Sequence, residues 1–558
     1  MKRLYIILSV TLAALTGAAQ GLNNEITVDR EITVNQVDVK PLNLTPDVIL
    51  PPLTPISLTY SNEAVTSRVP DAFTTLEPIA WSDPMLINSC GYASLGLFPL
   101  WNASLSAGYR IITTDKTRLN AWLQYSGEVY RRGWRDMKAD MKPYWRDHTI
   151  TADVAFSQKI GQYSSIEANI DYTFAHFNYN IPVDDKAQSA SQSSNNVGIN
   201  ALWRSKIGGM GYHVYAGYRH FAYVSALPLL NGPAALAARE NRFRIGGRGA
   251  FGVDDDIDAG LKMDIDVLGS RLGKNTGVVT LTPFIRIARG PWRLEAGPRI
   301  DMTFNGDKFF HIAPEVVGGW APNSLIAIDL RAAGGEHFNP LAELSLEAMR
   351  ANPSINYGLS HIPFTVDLGV TAGPYRGFSL RLFGGWAAAN SWLMPVVEGY
   401  CPSMFVPTDL RAFHGGAEFK AQWKDIVDFT ARFEAFEGKQ DRAYYLNRDR
   451  ARQVLDLKAE IRPIKNLTVE VAWQLRANRT AYNPIEVEPV EGETPTIKYV
   501  AVDLHNVSDL RVGAHYSINP RLGVFLRGMN LLNHNYLAID GSAPRGIMGL
   551  IGVTYKIQ

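Results

Sequence analysis

From Leu86 onward the chain alternates apolar and polar side chains with a period of two. The clearest run sets Ile257, Ala259, Leu261, Met263, Ile265 and Val267 against Asp258, Gly260, Lys262, Asp264 and Asp266. Another sets Ile166, Ala168, Ile170, Tyr172 and Phe174 against Glu167, Asn169, Asp171 and Thr173. Successive side chains of a strand point to opposite faces, so each run predicts a strand with one dry and one wet face. Reading every such run alike gives about 22 strands over residues 86–558, with about 21 residues for each strand and its connection. That leaves the roughly ten residues a tilted membrane-crossing strand requires. Soluble sandwiches use strands of about five or six residues, too short for these runs.

The connections alternate in length. Short ones fall near residues 114, 161, 208, 255, 289, 322, 373, 424, 464 and 519; most of those between them are long, at 131–147, 179–192, 222–240, 336–360, 390–408, 438–452 and 477–501. Short periplasmic turns and long outer loops are the signature of a transmembrane barrel, and an even strand count returns the C-terminus to the periplasm. The predicted fold is therefore all-β: a transmembrane antiparallel barrel over residues 86–558. Pro283 and Pro298 fall on apolar rows inside predicted strands, where each deletes a ladder hydrogen bond, so bulges or shifted boundaries are expected there. One outer loop reads as helical. Asn339 is placed to cap it, Pro340 suits its first turn, Leu341, Leu344 and Ala348 share a face, and Asn352-Pro353 ends it. Such a helix either covers the pore mouth or only packs its own loop.

Two segments precede the barrel. Met1-Lys2-Arg3, the apolar stretch from Leu4 to Leu15 and Gly17-Ala18-Ala19 read as a signal peptide over residues 1–19. Residues 20–85 repeat Glu-Ile-Thr-Val at 25–28 and 31–34 and then carry Pro41, Pro46, Pro51, Pro52, Pro55, Pro70, Pro78 and Pro84. Repeated prolines break helix and ladder alike, which predicts an extended periplasmic tail, or a segment that fills the lumen or pairs with a partner strand. No later stretch reaches eighteen uninterrupted apolar residues, so no inner-membrane helix is expected. Cys90 and Cys401 fall at opposite ends of the predicted barrel, which argues against a bridge.

The last 38 residues, 521–558, form a predicted hairpin. Leu522, Val524 and Leu526 alternate with Gly523, Phe525 and Arg527; a loop follows; a final run then sends Ile547, Gly549, Ile551, Val553, Tyr555 and Ile557 to one side. This hairpin resembles the C-terminal end of TonB-dependent outer-membrane receptors. The match is carried by Asn530, Leu531, Asn533 and Tyr536 in an Asn-Leu-x-Asn-x-x-Tyr loop, by Pro544 and Arg545, and by Tyr555 in the final strand. The chain departs from the pattern by ending on Ile557-Gln558 where such barrels end on an aromatic residue. The resemblance implies 22 strands, outer-membrane residence and ligand uptake or permeation. The Glu-Ile-Thr-Val tetrads are similar to the short box by which TonB engages its receptors. The plug of those receptors, however, exceeds a hundred residues, and residues 20–85 are too few for one. The Ala19-Gln20 cleavage style and the Pro-rich lead segment resemble receptor-like barrels without a full plug, of the Bacteroidetes type, and engagement of TonB stays open. An unplugged barrel of this size would leak, so residues 20–85, folded-in loops or another protein must fill it. The alternative is a non-transporting structural or scaffold subunit of an outer-membrane complex.

Composition adds little against this reading. A net charge of +1 and a pI near 7.8 give no reason to expect nucleic acid as partner. Outer-membrane lipid is the expected surroundings. The eleven histidines show no metal-ligand spacing, and neither a Gly-x-Ser-x-Gly elbow nor a phosphate loop occurs, so no enzyme, cofactor or metal is expected. Asp258, Asp264, Asp266, Glu295 and Asp301 sit among Arg286, Arg293 and Arg299, as a paired polar wall requires. Two loops are candidates for recognition. The first, 131–147, carries Arg132, Trp134, Arg135 and Trp145 with a surplus of positive charge, suited to anionic or sugar ligands or to anionic lipid. The second, 390–408, is unusually apolar, with Trp392, Tyr400 and Phe405; such a patch meets a partner or folds onto itself. Envelope proteins are the expected partners there and at residues 20–85.

Overall fold

The computed structural model describes residues 90–98, 102–133, 143–183, 186–207, 210–226, 236–306, 308–352, 357–396, 404–438, 451–487, 496–538 and 541–557. Among these, twenty-three strands form one antiparallel sheet. They are β1 (Gly91–Phe98), β2 (Asn102–Thr113), β3 (Thr117–Arg131), β4 (Tyr144–Ile160), β5 (Ser164–Val183), β6 (Lys186–Ile207), β7 (Met210–Tyr223), β8 (Arg239–Asp254), β9 (Ile257–Ser270), β10 (Thr276–Arg289), β11 (Trp292–Phe304) and β12 (Phe310–Asn323). The second half holds β13 (Ile326–Phe338), β14 (Leu359–Tyr375), β15 (Phe378–Val396), β16 (Met404–Trp423), β17 (Val427–Gly438), β18 (Ala451–Ile464), β19 (Leu467–Val487), β20 (Thr496–Leu504), β21 (Val507–Ser517), β22 (Leu522–Met529) and β23 (Met548–Ile557). Among the described residues one helix, α1 (Leu341–Glu347), lies between β13 and β14.

The sheet closes. Gly91 pairs with Ile557 and Leu97 with Ile551, joining β1 to β23. β20 and β21 share one place in the wall: β19 pairs with β21 from Leu467 to Arg476 and with β20 from Arg479 to Val487. The result is a closed 22-strand antiparallel barrel. Closure leaves no unpaired edge, the condition for backbone to cross hydrocarbon.

The alternation places the two faces as the sequence predicts. Outward positions stay exposed although apolar: Ile170 is 53%, Leu261 43% and Ile551 65% exposed. Inward positions pair charge across strands, as with Arg219–Asp171 at 2.9 Å, Arg242–Asp266 at 2.7 Å and Arg286–Glu295 at 3.2 Å. Near the short turns stand exposed aromatic side chains, among them Tyr163, Trp292, Tyr375 and Trp423. Trp203 meets Tyr212 at 5.4 Å and Trp292 meets Trp320 at 5.7 Å. This is the interfacial girdle of a membrane barrel.

Every short turn lies within a few residues of its expected place. The largest slip is at β14–β15, where the turn falls on Arg376 (φ 50°) and Gly377 (φ 87°) rather than at residue 373. Three of the expected long loops are instead mostly ladder. β5 and β6 stay paired to Val183–Lys186, β15 and β16 to Val396–Met404, and β19 and β20 to Val487–Thr496. Polar side chains do not end a strand when they satisfy each other: Asn178 donates to the Tyr144 carbonyl and to Ser189 Oγ, both at 2.8 Å.

The two prolines need neither a bulge nor a boundary shift. Leu281 pairs with Ile300 and Ile285 with Ala296, so Pro283 stands opposite Pro298, and the ladder skips the residues between without changing register. Two residues that lack an N–H thus share one interruption.

The helix starts where expected but is capped differently. Pro340 occupies the cap position with no side-chain bond, while Asn339 Nδ2 donates to Ser360 Oγ at 2.9 Å. The acceptor at the helix start is Glu240 of β8, whose Oε2 takes the Leu341 N–H at 2.7 Å.

Candidate functional site: the inward-folded outer mouth

The outer ends of β4, β5 and β7 turn aromatic side chains inward. Trp145 shares the parity of Asp147 and Thr149, and Phe177 and Tyr179 that of Asp171, whereas Ile150 and Ile170 face lipid. Phe221 meets Tyr223 edge-on at 5.0 Å and Phe177 meets Tyr179 at 5.4 Å. Onto this shelf α1 and the residues after it place Leu341, Leu344, Ala348 and Ala351, each no more than 1% exposed. Burying the two leucines alone contributes about 3–6 kcal/mol before entropy is counted.

Polar contacts fix the helix in place. Arg242 NH1 donates to Glu343 at 2.6 Å while its other nitrogens hold Asp266. Arg350 is 2% exposed: its Nε donates to the Asn178 carbonyl at 2.9 Å, its NH2 contacts Asp147, and its guanidinium lies 4.8 Å from the Trp145 ring centroid. Tyr179 donates to the Ala351 carbonyl at 3.2 Å. The helix therefore closes over the barrel wall and is not merely packed within its loop. Burial raises the phenol of Tyr357, at the far end of the same loop, above its ordinary range.

The β22–β23 loop folds inward as well. Asn530 (φ 46°) donates to the carbonyls of His534 at 3.1 Å and Arg545 at 2.5 Å and accepts the His534 N–H at 2.9 Å. Asn is one of the few side chains that tolerates this left-handed backbone and bonds locally in it. Its N–H goes to Asp509. Arg545 contacts the buried Glu128 of β3; burial draws its guanidinium below the ordinary value, while the carboxylate against it favours the cation. Between this loop and α1 lies a cavity of about 380 Å³ lined by Thr149, Thr151, Thr173, Ser194 and Asn196 and by the pairs Arg545–Glu128, Arg350–Asp147 and Arg511–Asp509. Its size suits a small ligand. Beside these polar groups the lining carries apolar side chains, among them Phe221, Leu346, Met349 and Met548.

The residues singled out from sequence divide. Asn530, Tyr536, Pro544 and Arg545 line this cavity. Leu531 packs over Gly528, and Asn533 is exposed, its side chain accepting from Arg132 NH1 at 2.8 Å and its carbonyl from NH2 at 3.0 Å. Tyr555 is remote, 47% exposed on the lipid face. Arg132, whose guanidinium burial pulls below its ordinary value, is thus occupied by the C-terminal loop. Trp145 is fully buried and donates to the Arg132 carbonyl at 2.8 Å. Trp392 and Phe405 are buried too, Phe405 meeting Tyr357 edge-on at 5.4 Å, so the described part of the apolar 390–408 stretch folds onto the α1 loop. Trp134, Arg135, Tyr400 and residues 20–85 lie outside the described residues. Sequence reasoning missed Glu240, Arg242 and Arg350. The signal for the first two was their spacing of two at the head of β8, which sends both to one face; Arg350 carried none.

The barrel is similar to several solved structures. The outer membrane transporter YddB from Escherichia coli aligns with TM-score 0.59 and 10% identity, over 84% of this chain and 81% of that one. A mutant of the ferric enterobactin receptor PfeA from Pseudomonas aeruginosa aligns with TM-score 0.59 and 11% identity, over 84% and 80%. The FrpB iron transporter from Neisseria meningitidis gives 0.59 and 10%, over 84% and 81%. The fold is that of these outer-membrane barrels. At such identity the likeness is one of fold. Neither the protein-family models nor the curated protein sequences yield a match to the chain. The barrel carries its apolar band outward and its paired charges inward.

Proposed function

We propose that this barrel takes up a small polar ligand across the outer membrane, with α1 as an outer gate and the cavity beneath it as the binding pocket. The observation that carries the reading is the seating of α1: a loop helix held to the inner wall by Glu240, Arg242 and Arg350 closes over a cavity that holds three paired charges. The fold it shares with outer-membrane transporters supports the same reading. Filling of the lumen by residues 20–85 or by inward-folded loops, and partner contact at those residues or through TonB, belong to the same proposal. The test is conductance in planar lipid membranes of the full chain and of the double variant Arg242→Ala/Arg350→Ala. A closed native barrel and step-like openings in the variant are the expected result. Silence in both, with the helix shown to be released, favours a structural subunit instead.

A further inference from the structure

Three side chains from three successive strands meet on the inner wall at the base of the α1 loop. Glu336 of β13 pairs directly with His361 of β14, and only His337–Ser360 and Phe338–Leu359 lie between that pair and the loop. His311 of β12 completes the group. Glu336 Oε1 is 2.9 Å from His311 Nε2 and 2.9 Å from His361 Nδ1, the two imidazole centroids are 4.2 Å apart, and all three ligand atoms lie within 4.8 Å of one another. We propose that His311, Glu336 and His361 bind a divalent first-row transition-metal ion, with Zn²⁺ as the reference, and that the ion clasps both stems of the α1 loop to β12.

Four arguments support the assignment. The donor set, two imidazoles and one carboxylate, is that of open zinc and related sites, whereas calcium and magnesium take oxygen alone. A tetrahedral ion with bonds of about 2.0–2.1 Å needs donors about 3.3 Å apart; the two Glu336–imidazole separations of 2.9 Å need a few tenths of an ångström of opening, and the two imidazole nitrogens lie within 4.8 Å of each other. The backbone is shaped to bring the group together. The β13–β14 register shifts between Ala333 and Gly335, and Gly335 has φ 120° with the position of a Cβ only 2.4 Å from Arg299 Nε, so no other residue fits there. Bulges of this kind re-aim a side chain beside a site. Finally, an outer shell fixes Glu336: its N–H donates to Asp301 Oδ2 at 2.8 Å, and Asp301, 1% exposed, also receives Thr280 Oγ1 at 2.5 Å and Arg299 Nε at 3.0 Å. Such supporting bonds orient metal ligands. The His361 side chain stays 23% exposed, which leaves a coordination position open. The proposal does not depend on the transport reading.

The test uses the full-length barrel in detergent, stripped with chelator and titrated with Zn²⁺, with bound metal counted by mass spectrometry after gel filtration. One tightly held equivalent is expected in the native barrel, lost in Glu336→Gln and His361→Ala, and held about ten- to a hundredfold more weakly in Asp301→Asn. Folding of each variant is read from the mobility shift of unboiled samples. Should the variants fail to fold, diethylpyrocarbonate labelling of the native barrel replaces them, with Zn²⁺ expected to protect His311 and His361. Folded variants that bind as much Zn²⁺ as the native chain overturn the proposal. So does a native barrel with no stoichiometric Zn²⁺, or labelling that Zn²⁺ leaves unchanged; the trio is then a hydrogen-bonded contact only.

Discussion

Arg350→Ala isolates the seating of the gate helix. In the native barrel this guanidinium is 2% exposed, bonded to Asp147 and to the Asn178 carbonyl, and stacked on Trp145. Removing one member of a buried ion pair costs about 3–5 kcal/mol, because the other charge is left without its partner. Asp147 is only 17% exposed, which limits relief by water. The lower end of that range applies because the apolar contacts of Leu341 and Leu344 stay in place. At 1.4 kcal/mol per factor of ten, 3 kcal/mol is about a hundredfold in the equilibrium between seated and released helix. Amide hydrogen exchange of residues 341–351 in detergent measures that equilibrium directly. Protection of those amides is expected to fall about a hundredfold, while strand amides on the barrel wall stay unchanged. The double variant Arg350→Met/Asp147→Asn, which leaves no charge unpaired, recovers most of the protection. Equal exchange in native chain and Arg350→Ala, or a loss spread over the whole barrel, refutes the seating argument.

Two further outcomes follow from local geometry. Asn530→Ala removes two donated bonds and one accepted bond within the β22–β23 loop; a loss of about 1–3 kcal/mol is expected, seen as faster exchange over residues 530–538 with the barrel still folded on unboiled gels. Gly297→Ala places a methyl 1.9 Å from the Pro283 carbonyl oxygen, a backbone atom that cannot step aside, whereas at Gly249 nothing lies within 4 Å. The folded fraction after refolding into detergent is expected to drop for Gly297→Ala, by about 1–3 kcal/mol of overpacking, and to hold for Gly249→Ala; equal yields would show that the proline interruption is slack.

The barrel was legible because alternation acts on every strand and depends on nothing distant. Ile166 through Phe174 needs only its own period of two to declare which side is wet. Loop lengths were harder. The sequence from Tyr179 to Gln192 looks like an outer loop by composition, yet Ser189 accepts from Asn178 across the hairpin and the ladder runs on. The helix announced itself through Pro340 and the spacing of Leu341, Leu344 and Ala348, but its cap, Glu240, comes from about a hundred residues upstream. His311, Glu336 and His361 stand one to a strand, on β12, β13 and β14. Motif spacing within one element cannot reveal them; strand register can. In the C-terminal motif, Tyr555 and Asn530 share a pattern in sequence and stand on opposite faces of the wall, because the loop turns inward and the final strand does not.

The paired strands β5 and β6 hold 20 and 22 residues. At about 3.3 Å per residue and a tilt near 40–45°, twenty residues climb about 47–50 Å, against an apolar band about 25 Å tall. Some 20 Å of paired ribbon therefore rises beyond the apolar band as a fin, with Phe177 and Tyr179 covered by α1 on its inner side. Whatever grips that fin, whether antibody, phage fibre or neighbouring envelope protein, meets a surface whose disorder was already surrendered when the barrel folded, and so binds without the ordering cost a floppy loop would impose.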